Sequence, residues 1–266
     1  MPQFSASLRY LFQEMNLYAR FGAASRAGFR AVEYPFPYSE KPADIKRALD
    51  ANDLRMMLIA MPPGDWKAGD RGLAGIPGRE ADFRTSVEEA IYYATSFDCP
   101  NVHVMAGTLP YGVPRESALS VLAENLSFAA EAFQNAGIKA LIEPLNEKDM
   151  PGYLLTRSVQ ARAIMAVVNN SNLRLLYNFY HGGMAGEDIE ESVRSNLDVI
   201  THIQVAGVPG RAEPDTGRIN FKPIFELLDT VGYPGWVGCE YTPSQRTQEG
   251  LKWASVYGIG SPFQAV

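Results

Sequence analysis

LRLLYN, residues 173–178, is a short apolar run that ends on a polar side chain, Asn178. Its length and its nearly continuous apolar character are typical of a strand buried on both faces of a parallel sheet. A polar turn that contains His181 follows at once. The same pattern, an apolar run that ends on or beside a polar residue, recurs along the chain and predicts its fold.

Seven more runs share this character: 4–8, 30–34, 54–60, 101–106, 139–144, 202–207 and 236–241. Helical periodicity fills the intervals, over approximately 13–27, 41–52, 80–97, 115–136, 156–169, 187–198, 221–231 and 244–257. Gly28 and Gly137 follow two of these helices, where glycine can adopt the left-handed conformation that ends a helix. Eight alternating units predict an α/β fold, a single (β/α)8 TIM barrel over residues 1–266. An open doubly wound sheet is the alternative, but no GxGxxG motif follows the first strand.

The composition excludes several classes of function. The chain has 266 residues, a net charge of −6 and no cluster of basic residues, which argues against a nucleic-acid partner. No apolar run is long enough to span a membrane, and no signal peptide is recognisable. Two cysteines, Cys99 and Cys239, argue against a disulfide framework and fit a reducing compartment. We therefore expect a cytoplasmic protein that acts on a small molecule; a homo-oligomer is compatible with the sequence.

One segment, MPPGDWKAGDRGLAGIPGRE (61–80), is rich in glycine and proline and shows no periodicity. Irregular segments of this length inside a compact domain are usually functional or disordered. The sequence allows two interpretations, a lid over the mouth of the barrel and a passive excursion of the chain.

Four polar residues lie at or near the ends of consecutive predicted strands: Glu143, Asn178, Gln204 and Glu240. In a barrel of parallel strands these ends meet at one face, where active sites are found. Four oxygen donors without sulfur suit a hard divalent cation such as Mg²⁺ or Mn²⁺. Each residue taken singly could instead hydrogen-bond a neighbouring loop, so the spacing leaves both interpretations open.

Several longer motifs extend this pattern: GFRAVE (28–33), PPGDWKAGDRGLAGIPGRE (62–80), HVMAG (103–107), IEPLNEKDMPGY (142–153), HIQVAGVPGRAEPDTGRINF (202–221) and GYPGWVGCEY (232–241). Through these motifs, and over residues 3–257, the chain resembles the hydroxypyruvate isomerase family. That family belongs to the xylose-isomerase-like TIM barrels, which also include the ketose 3-epimerases.

The resemblance implies an enzyme that interconverts hydroxypyruvate and tartronate semialdehyde through an enediolate. It also implies a divalent metal, Mg²⁺ first and Mn²⁺ or Co²⁺ as alternatives, held by Glu143, Asn178, Gln204 and Glu240. The two glutamates would act as the acid/base pair. His181 and Arg211 match positions that contact the substrate in related enzymes.

The main departure from the family lies at position 178, where relatives usually have aspartate. Asparagine keeps a carbonyl oxygen but lacks the negative charge, so we expect weaker cation binding. A natural variant, an engineered substitution and a degenerate site all remain possible explanations. The alternatives are therefore an isomerase of a longer 3-oxo sugar acid, a ketose 3-epimerase, and a weakened or non-catalytic barrel that binds a small acid. Phosphodiester cleavage is disfavoured, because its metal clusters need several histidines and this chain has three.

Overall fold

All eight apolar runs form strands of one parallel sheet, and this sheet closes into a barrel in the computed structural model, which describes residues 1–260. The strands pair in chain order, and β1 also pairs with β8. They are β1 (Gln3–Ser7), β2 (Ala31–Glu33), β3 (Arg55–Ala60), β4 (Asn101–His103), β5 (Lys139–Ile142), β6 (Leu173–Asn178), β7 (Ile200–Val205) and β8 (Trp236–Cys239). The predicted TIM barrel is confirmed; the last six residues of the predicted domain lie outside the described part.

Helices surround the barrel: α1 (Leu17–Arg26), α2 (Pro42–Ala51), α3 (Glu80–Ser96), α4 (Arg115–Asn135), α5 (Ser158–Val168), α6 (Phe179–Met184), α7 (Ile189–Asn196) and α8 (Lys222–Thr230). Short 3-10 helices span Pro214–Thr216 and Glu249–Tyr257. Gly28 and Gly137 have φ angles of 96° and 73°, as expected for residues that end helices in the left-handed conformation.

Two helical segments differ from the sequence prediction. The segment predicted as a helix at 244–257 is a 3-10 helix over Glu249–Tyr257, and its fully buried Leu251 and Ala254 are spaced three residues apart, which matches three residues per turn. Helix α6 was not predicted, because Gly182 and Gly183 lower helix propensity within its six residues.

The side chains inside the barrel pack separately from those between the strands and the helices. Leu58, Leu141 and Leu176 form a small cluster apart from the main hydrophobic core. Leu58 and Leu176 also line a cavity at the carboxyl ends of the strands. These leucines therefore provide an apolar floor beneath the polar strand ends.

The loop at 61–80 is held by polar contacts, two of them within the loop and one to helix α4. Asp70 accepts a hydrogen bond from the backbone of Asp65 at 2.8 Å and pairs with Arg79 at 3.3 Å. Asn125 on α4 donates a hydrogen bond to the Ala74 carbonyl at 2.8 Å. The loop carries Trp66 to the wall of the cavity. This position favours the interpretation that the loop covers the mouth of the barrel, rather than the interpretation that it is a passive excursion of the chain.

Two further features concern the cysteines and the apolar character of the helices. Cys99 and Cys239 are both buried and unpaired, in agreement with the expectation that no disulfide framework exists. Among the helices of residues 1–260, none is both long and apolar enough to cross a membrane.

Candidate active site

A cavity of about 280 Å³ opens at the carboxyl ends of the strands. Five residues predicted from the sequence line it: Glu143, His181, Gln204, Arg211 and Glu240. The sixth, Asn178, is buried and bonded to three of them. The barrel thus brings all six residues together, because parallel strands present their carboxyl ends at one face.

Asn178 is the centre of the polar cluster. Its Nδ2 lies 3.0 Å from Glu143 Oε1, 3.1 Å from Gln204 Oε1 and 2.9 Å from Glu240 Oε2. Its Oδ1 accepts a hydrogen bond from the backbone N–H of Tyr180 at 3.0 Å and so caps the first turn of α6. The amide therefore turns its nitrogen, and not its oxygen, towards the other three side chains.

Donor and acceptor chemistry fixes this orientation. The Tyr180 N–H can only donate, so it requires the oxygen of the Asn178 amide. An aspartate at 178 could cap α6 with one oxygen and present the second to the cluster, whereas asparagine has a single oxygen for both tasks. The carbonyl of Asn178 can cap the helix or face the cluster, and in this structure it caps the helix.

Gln204 is oriented by a residue below the cluster. Its Nε2 donates to Glu33 Oε2 at 2.7 Å, and its Oε1 faces Asn178. Glu33 is fully buried on β2 and also accepts a hydrogen bond from Ser5 Oγ at 2.6 Å, while His202 Nε2 lies 2.7 Å from it. Because Glu33 Oε2 accepts from this nitrogen, the contact directs the nitrogen of Gln204 downwards and its oxygen into the site.

The acceptors of the cluster fit a hard cation. Oxygens of Glu143, Gln204 and Glu240 lie within 3.1 Å of one atom, Asn178 Nδ2. An NH₂ group has two hydrogens, so it cannot donate well to three acceptors. The cluster is therefore rich in acceptor oxygens, the ligands that Mg²⁺ and Mn²⁺ prefer. Asn178 would join the set only after its amide turned and released the Tyr180 N–H.

Glu143 sits in a strongly perturbed environment. Burial, followed by the nearby charge of Glu240, raises the pKa of Glu143 well above its usual value. The Nδ1 of His103 lies 3.4 Å from Glu143 Oε2. Burial lowers the pKa of His103 to about 3, so this contact involves a neutral imidazole ring. The Nε2 of His103 is buried and has no hydrogen-bond partner within the described residues, although the ring lines the cavity.

His181 is held by the loop after β5. The backbone N–H of Asn146 donates to His181 Nδ1 at 3.1 Å. Burial, together with the positive charge of Arg211, lowers the pKa of His181 well below its usual value. A neutral ring whose Nδ1 accepts must carry its proton on Nε2. His181 therefore offers one N–H to a ligand in the cavity that it lines.

Arg211 lies between two aromatic rings and beside a carboxylate. Its Cζ is 4.8 Å from the ring centroids of Tyr10 and Tyr180, and its Nη2 donates to Glu240 Oε2. The backbone has φ of 52°, an uncommon left-handed conformation for a residue other than glycine. Hydrogen bonds hold it there: Arg211 N donates to the Gly207 carbonyl at 2.7 Å, and its own carbonyl accepts from Thr242 at 2.8 Å.

Sequence reasoning missed several residues of the site. His103 belongs to an apolar run that gave no sign of a role in the site, and it lies beside Glu143 on the cavity wall. His202, also in an apolar run, is fully buried and contacts Glu33. Glu33 ends a predicted strand, as the other acidic residues do, and this shared position indicates a residue that orients groups inside the barrel, as it does with Gln204. Trp66 belongs to the segment that the sequence allows as a lid, and it lines the cavity. Arg9 also lines the cavity, and no pattern in the sequence distinguished it.

Comparisons with known proteins agree with this architecture. The family described as xylose isomerase-like TIM barrel matches residues 21–256. A Cupriavidus necator protein named 2-oxo-tetronate isomerase is 44% identical over 97% of this chain and 99% of its own. An Escherichia coli protein named hydroxypyruvate isomerase is 40% identical over 97% and 100% of the two chains. A crystal structure from Brucella melitensis described as an AP endonuclease of family 2 superposes with a TM-score of 0.94 at 40% identity, covering 97% of this chain and 99% of that one.

Proposed function

The chain belongs to the xylose isomerase-like TIM barrel family and is an isomerase, and from this premise we propose that it moves the carbonyl group of a small oxo-acid to the neighbouring carbon. Two relatives are named for isomerases of hydroxypyruvate and of 2-oxo-tetronate. The convergence of Glu143 and Glu240 on one point, each within 3.0 Å of Asn178 Nδ2, is the observation that carries the proposal.

For hydroxypyruvate the reaction is a proton shift between neighbouring carbons. One glutamate removes a proton from the hydroxymethyl carbon, which leaves an enediolate with its charge on the former carbonyl oxygen. The other glutamate delivers a proton to the carbon next to the carboxylate. The proton of the terminal hydroxyl passes to the neighbouring oxygen, so tartronate semialdehyde forms without net gain or loss of protons.

His181 and Arg211 would hold the substrate during this shift. The N–H of His181 that faces the cavity can donate to the oxygen on which negative charge develops. Arg211 carries its charge beside Glu240, and its guanidinium lies between the rings of Tyr10 and Tyr180. Both groups are positioned before a ligand binds, which reduces the cost of ordering them.

We further propose a divalent cation, Mg²⁺ first and Mn²⁺ or Co²⁺ as alternatives, held by the oxygens of Glu143, Gln204 and Glu240. Asn178 would serve as a fourth ligand if its amide turned. When bound, such a cation stabilises negative charge as a Lewis acid. The acceptor-rich cluster supports this assignment, and the capping role of the Asn178 oxygen predicts weaker binding than an aspartate would give.

The substrate is expected to be small. A cavity of about 280 Å³ lies at the lower limit of small-molecule sites, which usually measure about 300–1,000 Å³. Three-carbon hydroxypyruvate and a four-carbon oxo-acid are both compatible with this space. A ketose 3-epimerase activity is the next candidate within the same chemistry, because it also exchanges protons between two opposed glutamates.

A different class of function follows if Asn178 has disabled the site. The barrel would then bind a small acid without turnover, and the orientation of the Asn178 amide is the observation that favours this candidate. Phosphodiester cleavage lacks such support: its metal clusters need several histidines, and of the three in this chain His103 and His181 line the cavity while His202 does not.

The test measures isomerisation of hydroxypyruvate and of 2-oxo-tetronate by metal-stripped protein, before and after addition of Mg²⁺, Mn²⁺ or Co²⁺. We expect turnover to return with at least one of these metals. Full activity after stripping, with no gain from any metal, would contradict the metal assignment. No turnover of either acid under any condition, in protein shown to be folded, would favour the binding protein.

A further inference from the structure

A second arginine lies at the mouth of the cavity and has no role in the reaction as described so far. Arg9 follows β1, and its Cζ is 5.3 Å from the ring centroid of Phe36 and 5.7 Å from that of Trp66. The two rings contact each other at 6.0 Å. The three side chains come from the loops after β1, β2 and β3, and all of them line the cavity.

The two arginines of the cavity differ in their ionic partners. Arg211 pairs with Glu240 and lies 3.6 Å from Asp149. None of the ion pairs formed among residues 1–260 involves Arg9. A carboxylate that entered the cavity would meet two acids already placed beside Arg211, whereas no acid of the described residues pairs with Arg9.

The aromatic contacts restrict the Arg9 side chain. An arginine side chain in solution loses rotamer entropy when it becomes fixed. Here the rings of Phe36 and Trp66 restrict the guanidinium beforehand, so less entropy is lost when a ligand binds. A planar guanidinium can then bind both oxygens of a carboxylate.

We propose that Arg9 binds the carboxylate of the oxo-acid substrate, and that Arg211, held by Glu240, serves the reacting end of the molecule. This inference rests on the proposed isomerase function and adds the determinant of acid recognition. It makes Phe36 and Trp66 positioning residues, which keep the Arg9 guanidinium at the mouth of the cavity.

The test compares Arg9→Gln, Arg9→Lys and the control Arg71→Gln in the full-length, metal-loaded protein. Arg71 stacks on the same Trp66 ring, with its Cζ 3.8 Å from the centroid, but it does not line the cavity. We expect Arg9→Gln to raise KM for hydroxypyruvate about 10- to 100-fold, which is the effect of losing a hydrogen-bonded ion pair, with kcat within about threefold of wild type. Arg9→Lys should recover part of the loss, and Arg71→Gln should behave as wild type.

A second measurement separates charge recognition from support of the loop. In the wild type, KM for the acid should rise with ionic strength, and Arg9→Gln should weaken this dependence because the exposed charge is gone. An unchanged KM in Arg9→Gln, or an equal rise of KM in Arg71→Gln, would overturn the inference.

Calorimetry with tartronate, an acid that the enzyme cannot isomerise, distinguishes failure of this inference from failure of the proposed function. If the wild type turns over no oxo-acid yet binds tartronate, and Arg9→Gln binds it at least tenfold more weakly, the acid site stands and the isomerase proposal fails. If tartronate binds both proteins equally, or binds neither, the assignment of Arg9 is wrong.

Discussion

The carboxylate of Glu33 accepts a hydrogen bond of 2.7 Å from Gln204 Nε2, and this contact decides which end of the Gln204 amide faces the active site. The two residues are 171 positions apart in the sequence and meet inside the barrel. Because the Gln204 nitrogen is bound to Glu33, Gln204 presents its oxygen upwards, where that oxygen accepts a hydrogen bond from Asn178.

Glu33→Gln should therefore weaken cation binding without removing any ligand. A glutamine at 33 can donate as well as accept, so the Gln204 amide is free to turn its nitrogen towards the site. We expect a loss of metal affinity of about 10- to 100-fold, measured by calorimetry. Ser5→Ala is the control, because it removes the Ser5–Glu33 hydrogen bond of 2.6 Å and leaves Gln204 untouched. Equal losses in both variants would mean that general disturbance of the network is responsible.

Glu143→Gln and Glu240→Gln should each lower kcat about 10²- to 10⁴-fold while the fold persists, because each variant removes one proton-transfer group. Steady-state kinetics, with circular dichroism as the check on folding, provides the measurement. Undiminished turnover in either variant would remove that glutamate from the acid/base pair.

Asn178→Asp should tighten binding of Mg²⁺ or Mn²⁺ by roughly 10- to 100-fold in a calorimetric titration. The carboxylate has one oxygen for the Tyr180 N–H and a second for the cation, and it adds negative charge. Asn178→Ala is the informative companion variant. If the asparagine oxygen stays on the cap, this variant keeps the metal affinity of the wild type and loses about 1 kcal/mol of stability through the lost cap. A marked loss of affinity would instead identify Asn178 as a ligand.

Arg211→Ala should lower kcat/KM at least about 100-fold, since the variant leaves the Glu240 carboxylate without its guanidinium partner and removes a group that contacts the substrate. Arg211→Lys retains the charge but not the planar fork, and we expect it to recover activity only in part. Kinetics like those of the wild type in Arg211→Ala would exclude Arg211 from the site.

Stability should depend on pH through His103. Burial lowers the pKa of His103 from 6.5 to about 3, so the folded protein binds a proton at this ring less readily than the unfolded chain. The resulting stabilisation is present above about pH 6.5 and is lost as the pH falls towards 3, by at most about 1.4 kcal/mol per pH unit. Denaturant titrations at several pH values should show a smaller loss in His103→Gln than in the wild type. Equal losses, or titration of the His103 ring near pH 6.5 by NMR, would contradict the burial of a neutral ring.

The barrel could be predicted because its signals are local. Each strand is a short apolar run such as LRLLYN, and the polar residue at its end marks the face where the site forms. The same local reasoning failed for α6, whose two glycines conceal a helix that begins at the Asn178 cap. It also failed for the segment after β8, because apolar residues three apart fit an α-helix and a 3-10 helix about equally well.

The sequence by itself determined the eight-stranded architecture and four candidate residues at the strand ends, because both depend on the order of apolar and polar residues along the chain. The other two candidates, His181 and Arg211, came from the resemblance to a known family. Only the tertiary structure decided what those residues present to a ligand. The orientation of the Asn178 amide is fixed by the Tyr180 N–H, that of Gln204 by Glu33, and the pairing of Arg211 by Glu240. Two of these partners are distant in sequence, and a hydrogen bond selects one atom of a side chain only when its partner has been brought within about 3 Å.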